Sequence, residues 1–134
     1  MTSDEIRALF DGVRGAYERF DPAALRAFYA DDCIVESPIG GTVQGRDGVE
    51  RIARLTFEAF PDFTIEPGEF LIADGRVILT LTIHGTDTGG LFGFPPTGKR
   101  ILVDLTTTQR FERGRVVEEW STWDEMATAL DFAL

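Results

Sequence analysis

The sequence predicts a single α+β domain in which a curved antiparallel sheet wraps around helices that lie on one of its sides. Through residue 60, apolar residues recur mainly at three- and four-residue spacing, which is typical of amphipathic helices. From residue 63 onward the pattern changes to alternation broken by glycine turns, which is typical of strands. A length of 134 residues fits one domain. Because a curled sheet with helices across its mouth leaves space between the layers, we expect a pocket there.

The first two predicted elements are helices. Residues 2–20 form an amphipathic helix, with Thr2 and Glu5 as a capping box at its start. Asp21 and Pro22 end this helix and begin a second, short one, as its cap and its first helical residue. The apolar positions of the first helix share one face: Ile6, Leu9, Phe10, Val13, Tyr17 and Phe20.

A short strand and a third helix come next. Residues 33–37 are predicted as a strand, and the Pro-Ile-Gly-Gly segment at 38–41 as a turn. Asp47 and Glu50 match a second capping box. We therefore expect a helix from this box to residue 60, where Pro61 stops it.

Four strands and a closing helix complete the predicted chain. Asp74 with Gly75, and Arg113 with Gly114, are hairpin signals. The strands around these turns cover residues 63–73, 76–85, 99–112 and 115–123, and they form an antiparallel meander. Residues 125–132 are predicted as a short helix.

The charge balance excludes several kinds of partner. Thirteen Lys and Arg stand against 23 Asp and Glu, for a formal net charge of −10. Because no run of Lys and Arg could follow a phosphate backbone, we expect no nucleic-acid partner. An anionic membrane surface would repel the chain. No signal peptide and no apolar run of about 20 residues is found, so the sequence predicts a cytoplasmic protein.

Cysteine and histidine usage narrows the chemistry. Cys33 is the only cysteine, so no intrachain disulfide can form, and it lies at the start of an apolar run as a small core residue would. His84 is the only histidine. Histidine-based metal sites and cysteine–histidine catalysis therefore lack their components, and the sequence predicts no metal.

The most unusual segment is the glycine- and proline-rich link GTDTGGLFGFPPTG at residues 85–98. One interpretation is an elaborate connection between two strands. The other is a flap that brings Leu91, Phe92 and Phe94 over the pocket mouth and excludes water from an apolar ligand.

Asp124 is the first candidate catalytic residue. It follows Trp120 and Trp123 at the end of the last predicted strand, where desolvation by the indoles would raise its pKa and suit it to act as a general base. The alternative is structural, because Thr122 and Glu125 match a capping box at the start of the closing helix.

Gln109 is the second candidate. Alternation in residues 99–112 puts Asp104 and its polar neighbours on one face, and Gln109 in an otherwise apolar row on the concave face. A buried unpaired amide costs roughly 1–3 kcal/mol. Gln109 must therefore bond to a neighbour, to water or to a ligand.

Three other placements have two interpretations each. Tyr17 is either core or a wall residue whose hydroxyl reaches the cavity. Glu36, on the first strand, faces either the pocket or solvent. The polar face that carries Asp104 and His84 is either exposed or a dimer contact.

Five parts of the sequence resemble the SnoaL-like polyketide cyclase family. They are FPDF at 60–63, GTDTG at 85–89, GFPPTGK at 93–99, RFERGRVVEEW at 110–120, and Asp124. This family belongs to the nuclear transport factor 2-like superfamily, so the resemblance implies its cone-shaped α+β fold over nearly the whole chain. The superfamily hosts enzymes, binding modules and assembly domains alike.

The resemblance also implies a mechanism. Family cyclases use an acid/base aspartate at the position of Asp124, which takes a proton from a carbon next to carbonyls so that the enolate closes a ring by aldol addition. No metal or organic cofactor is implied. Histidine is frequent in the family at three places where this chain has Asp87, Gln109 and Glu119. A glutamine can orient a carbonyl but cannot shuttle protons at neutral pH.

The leading hypothesis is a cofactor-independent acid/base enzyme that cyclises or isomerises a small apolar carbonyl compound. Asp124 is its base, Gln109 and Trp120 are hydrogen-bonding neighbours, and further substrate-binding residues form the walls: Tyr17, Phe57, Phe92 and Phe94. An epoxide hydrolase or dehydratase is the first alternative, with Glu36 as a second acid. A non-catalytic ligand-binding or dimerisation module is the second. In each case we expect a homodimer.

Overall fold

The computed structural model describes residues 2–74, 76–90 and 95–123. Its elements follow in the order α1 (Ser3–Glu18), a 3₁₀ helix (Pro22–Phe28), β1 (Tyr29–Ser37), β2 (Gly41–Gln44), α2 (Gly45–Ala59), β3 (Thr64–Ala73), β4 (Arg76–Thr86), β5 (Arg100–Glu112) and β6 (Arg115–Trp123). Phe92, Phe94, Asp124 and the predicted closing helix at 125–132 lie outside the described residues.

Within the described ranges, the strands form one six-stranded sheet in the order β2-β1-β6-β5-β4-β3. The predicted meander is confirmed, because β3, β4, β5 and β6 pair with one another in sequence, each antiparallel to the next. β1 joins the sheet beside β6 and runs parallel to it. The helices lie against one face of the sheet, with α1 and the 3₁₀ helix before β1 and α2 between β2 and β3, which makes the fold α+β.

The segment after β1 was predicted as a turn only, and the structure corrects this. The chain turns at Gly41, whose φ of +71° is in the left-handed region, and continues as the four-residue edge strand β2 antiparallel to β1. Only Val43 in β2 is even partly buried, so the strand carries no alternating apolar pattern that a sequence could reveal.

The start of α1 is as predicted. The Glu5 backbone N–H donates to Thr2 Oγ1 at 3.1 Å, and the Thr2 backbone N–H donates back to the Glu5 carboxylate, which completes a capping box. The buried side of the helix carries Ile6, Val13 and Ala16. Because these side chains are buried, this face of α1 lies toward the sheet.

The start of α2 differs from the prediction. The helix begins at Gly45, whose φ of +79° permits a sharp turn out of β2, and Gln44 precedes it with no side-chain capping bond. Asp47 and Glu50 do not form the expected capping box. Both instead accept hydrogen bonds from Arg26, at 2.6 and 3.0 Å, and so tie α2 to the 3₁₀ helix.

The core lies between the helices and the concave face of the sheet. β5 has the predicted orientation: Ile101, Val103 and Gln109 are buried, whereas Leu102 and Asp104 are exposed. Among the described residues, no helix is both long enough and apolar enough to span a membrane.

Candidate active site

A cavity of about 100 Å³ lies between α1, α2 and the concave face of the sheet. Most of its lining side chains are apolar: Phe10, Val13, Pro38, Ile39, Ile52, Phe63, Ile65, Leu79, Leu81, Ile83, Leu105 and Trp123. The lining that the structure describes also includes seven uncharged polar residues: Tyr17, Tyr29, Ser37, Thr56, Thr107, Gln109 and Ser121. Its one carboxylate is that of Glu119. Such a space suits a small apolar ligand with a few polar atoms.

Glu119 is held by hydrogen bonds from two neighbouring strands. Gln109 on β5 is its register partner on β6, and Gln109 Nε2 donates to Glu119 Oε1 at 2.6 Å. The hydroxyl of Tyr29 on β1 donates to the same oxygen at 2.8 Å. Gln109 is only 5% exposed, so of the three partners considered for its amide, the structure selects a neighbouring side chain.

The electrostatics of this cluster favour neutral groups. Burial raises the pKa of the Glu119 carboxyl above its ordinary value, and the hydrogen bonds from Gln109 and Tyr29 offset this only in part. Burial, with the nearby Glu119 charge, also raises the pKa of the Tyr17 and Tyr29 phenols. Both phenols therefore stay protonated donors at neutral pH, whereas Glu119 can exchange a proton closer to neutrality than an exposed glutamate.

A second polar pair lies beside the first. Thr107 Oγ1 and Ser121 Oγ are 3.0 Å apart across β5 and β6, two residues along each strand from Gln109 and Glu119. Hydroxyls can both donate and accept, so this pair can turn to suit either a carbonyl or a hydroxyl of a ligand.

The aromatic wall is only partly as predicted. Tyr17 lines the cavity. Phe57 is not among the lining residues and instead packs behind the wall, with ring centroids 5.8 Å from Tyr17 and 6.3 Å from Phe63. Phe57 therefore supports the wall rather than contacting a ligand, and Phe63 takes the place predicted for it.

Two predicted site residues lie outside the cavity. Glu36 is exposed, and its register partner Trp120 lies with it on the outer face of the sheet, where the Arg76 guanidinium stacks 5.6 Å from a Trp120 ring centroid. This is a correction for both. With Glu36 outside, the hydrolase alternative loses the particular second acid that was proposed for it.

A β-bulge explains why these positions were misjudged. A regular two-residue hairpin at Arg113 and Gly114 would pair Gln109 with Glu118 and turn Trp120 inward. The observed register shifts because Val117 is an extra residue on β6, so Gln109 pairs with Glu119 instead. Every side chain beyond the bulge changes face, which brings Glu119, Ser121 and Trp123 into the cavity.

The long link at 85–98 is anchored at its base. Asp87 is fully buried; its carboxylate accepts hydrogen bonds from the Gly90 backbone and from the backbone and hydroxyl of Thr97. The backbone N–H of Gly89 donates to Ala59 at the end of α2. Asp87 is thus a structural residue of the link. The flap interpretation stays a prediction, since Leu91, Phe92 and Phe94 are outside the described residues.

In the described part of the chain, no group of three or more His, Cys, Asp or Glu side chains is arranged to hold a metal ion. Cys33 is buried, and burial raises the pKa of its thiol, so it is a core residue rather than a reactive one.

The chain is similar in its overall structure to several known proteins. AclR from Streptomyces galilaeus, a candidate hydroxylase, is 29% identical, with a TM-score of 0.80 over 96% of this chain and 80% of its own. IdmH from Streptomyces antibioticus, a candidate polyketide cyclase, is 23% identical (TM-score 0.78, 96% and 98% covered). TsrD from Streptomyces laurentii is 17% identical (TM-score 0.86, 98% and 96% covered). No protein with a curated description matches the chain.

These structural neighbours share the α+β fold of this chain, with helices against one face of a curved sheet. The family model of the SnoaL-like polyketide cyclases matches residues 9–131, which includes every element that bounds the cavity except the first turns of α1. By this match over most of its length, the chain belongs to the SnoaL-like polyketide cyclase family.

Proposed function

We propose that the chain is a cofactor-independent acid/base enzyme that cyclises or isomerises a small apolar compound with a carbonyl group. The observation that carries this proposal is a carboxylate, Glu119, within a cavity lined mainly by apolar side chains. Membership of the SnoaL-like family supports a general cyclase-like role. An intramolecular aldol addition is the reaction that we propose in particular.

Asp124 is the proposed base, on the strength of its place in the family motif. Its carboxylate takes a proton from the carbon next to a carbonyl, and the electron pair of that C–H bond forms an enolate. The enolate carbon then adds to a second carbonyl of the same molecule and closes a ring. The protonated Asp124 returns its proton to the new alkoxide, so the enzyme ends as it began.

Gln109 has a positioning role in this proposal. Its amide holds Glu119 at 2.6 Å and is buried, which fixes the polar part of the cavity relative to the apolar walls. Tyr17, Phe63 and Trp123 exclude water from the bound ligand and present flat apolar surface to it. The walls thus favour ring-containing or unsaturated ligands over charged ones.

Hydrogen exchange at carbon tests the proposal without requiring the natural substrate. Acetophenone, a small apolar ketone, is incubated with the protein in D₂O, and NMR follows the loss of its methyl hydrogens. We expect catalysed exchange that falls at least about 10²-fold in Asp124→Asn, since positioned acid/base groups typically contribute 10²–10⁴. Asp104→Asn, on the exposed face of β5, is the matched control and should exchange like the parent.

Two results would argue against the proposal. Exchange within about tenfold of the parent in Asp124→Asn would remove Asp124 as the base. Binding of the ketone with no exchange above the buffer rate would favour the non-catalytic alternative, a ligand-binding module.

A further inference from the structure

The two oxygens of the Glu119 carboxyl have different environments. Tyr29 and Gln109 both donate to Oε1, at 2.8 and 2.6 Å. Within the described residues, no donor reaches Oε2. Glu119 also lines the cavity, so among the described contacts Oε2 is the carboxyl oxygen that a ligand can reach.

This asymmetry determines where a proton can reside. Oε1 already accepts two hydrogen bonds, from a phenol and from an amide. A proton bound to that oxygen would be repelled by both donor hydrogens. When Glu119 is neutral and both of these hydrogen bonds are kept, its proton is therefore on Oε2.

We propose that Glu119 Oε2 is the position at which the cavity exchanges a proton with an oxygen of its ligand. The ligand class that follows is a small apolar molecule with an enol, phenol or ketone oxygen at this point. Ionised Glu119 accepts a hydrogen bond from an enol or phenol, and neutral Glu119 donates one to a ketone. As regards turnover, this inference rests on the proposed function.

The charges around Glu119 fit such an exchange. Among the described residues, the titratable groups that interact with it are Tyr17 on α1 and Tyr29 and Cys33 on β1, and burial raises the pKa of all three. The lining residues that the structure describes include no Lys, Arg or His to hold Glu119 ionised. The carboxyl is thus free to change its protonation state when a ligand oxygen takes or supplies a proton.

During turnover, the step conserves atoms and charge. As the base Asp124 removes the hydrogen from carbon, the C–H electron pair becomes the C=C bond and the carbonyl π pair moves to oxygen. That oxygen takes the proton from Glu119 Oε2, so the enolate of the proposed reaction is held as its neutral enol and Glu119 becomes a carboxylate. When the enol carbon attacks, its O–H proton returns to Oε2.

The competing interpretation is that Tyr29, Gln109 and Glu119 are only a buried network that joins three strands. Glu119→Gln separates the two, since the glutamine oxygen can still accept both hydrogen bonds and keep the network. In place of Oε2 it has an amide nitrogen, which can donate but not accept. A purely structural role would therefore survive this substitution, and a role in accepting a ligand hydroxyl would not.

Phenol and toluene are suitable probes because they share a shape and differ in one hydroxyl. NMR titrations at pH 8 give the affinity of each for the parent chain and for Glu119→Gln. We expect the phenol-to-toluene affinity ratio to fall about tenfold or more in Glu119→Gln, because a hydrogen bond to an ionised acceptor is lost. Toluene should bind both proteins alike, and Glu36→Gln, on the outer face, should keep the parent ratio.

The pH dependence in the parent chain gives a second measurement that needs no variant. Toluene does not ionise, and phenol, like tyrosine, ionises only near pH 10. If Oε2 contacts the hydroxyl, the phenol-to-toluene ratio should rise as the pH increases through the raised pKa of Glu119 and the carboxyl ionises. A ratio that stays constant with pH, or one unchanged within about twofold in a folded Glu119→Gln, overturns the inference.

Failure of this inference and failure of the proposed function give different results. The probe titrations involve no turnover, so an unchanged ratio leaves hydrogen exchange by Asp124 untouched. A changed phenol-to-toluene ratio with no hydrogen exchange would support Glu119 as a ligand-binding group and contradict the proposed enzymatic function.

Discussion

Gln109→Leu should destabilise the protein by an amount that depends on whether Glu119 is ionised. Leucine is close in volume to glutamine and suits a buried position, so the main change is loss of the 2.6 Å hydrogen bond to Glu119. A hydrogen bond to a charged group contributes about 1.5–3 kcal/mol and a neutral one about 0.5–1.5 kcal/mol. The substitution should therefore cost roughly 1 kcal/mol more at pH 8 than at pH 4.5.

The sign follows from the pKa of Glu119. Burial raises this pKa in the folded state, so the stability associated with the neutral carboxyl is fully present below the unfolded pKa and is lost as pH rises through the folded one. The Gln109 hydrogen bond opposes that shift. Removing it should raise the folded pKa further and deepen the loss of stability at high pH.

Urea denaturation at the two pH values measures both free energies of unfolding. Gln44→Leu is the matched control, because Gln44 is exposed and its side chain makes no capping bond. This control should change stability by less than about 0.5 kcal/mol at either pH. An equal cost of Gln109→Leu at pH 4.5 and pH 8 would refute the claim that Gln109 stabilises the ionised form of Glu119.

Two further predictions concern the link at 85–98 and the outer face of the sheet. Asp87→Ala should lower the free energy of unfolding by about 2–4 kcal/mol, because it leaves donors from Gly90 and Thr97 without their buried acceptor. Asp87→Asn keeps one acceptor oxygen and should therefore lower this free energy by less. Equal losses for the two variants in urea denaturation would contradict this prediction. Sedimentation at high micromolar concentration should give the mass of two chains, because Leu102 is 56% exposed on the outer face of β5; a single-chain mass there would remove the proposed homodimer.

The parts of the fold that depend on local patterns could be predicted from the sequence. The apolar stripe and capping box place α1, and the alternation of β5 turns Gln109 inward. β2 could not be predicted in this way because its four residues have no buried face. The start of α2 depends on Arg26, which is distant in sequence and takes the carboxylates of the expected capping box.

The candidate site was less predictable because it depends on sheet register. One extra residue, Val117, decides whether Glu118 or Glu119 faces the cavity, and no local pattern marks it. The same shift turns Trp120 outward. The comparison with the family pattern offered one indication that Glu119 belongs to the site. Glu119 stands where the family frequently has a histidine, so a titratable group is kept at that position.

The central claim is that this cavity moves protons to and from carbon. The most direct test is the deuterium content of acetophenone recovered from D₂O after incubation with the parent chain. We expect deuterium in the methyl group well above the level in buffer, and none in the ring. Equal deuterium with and without the protein, at concentrations where the ketone is shown to bind, would contradict the claim.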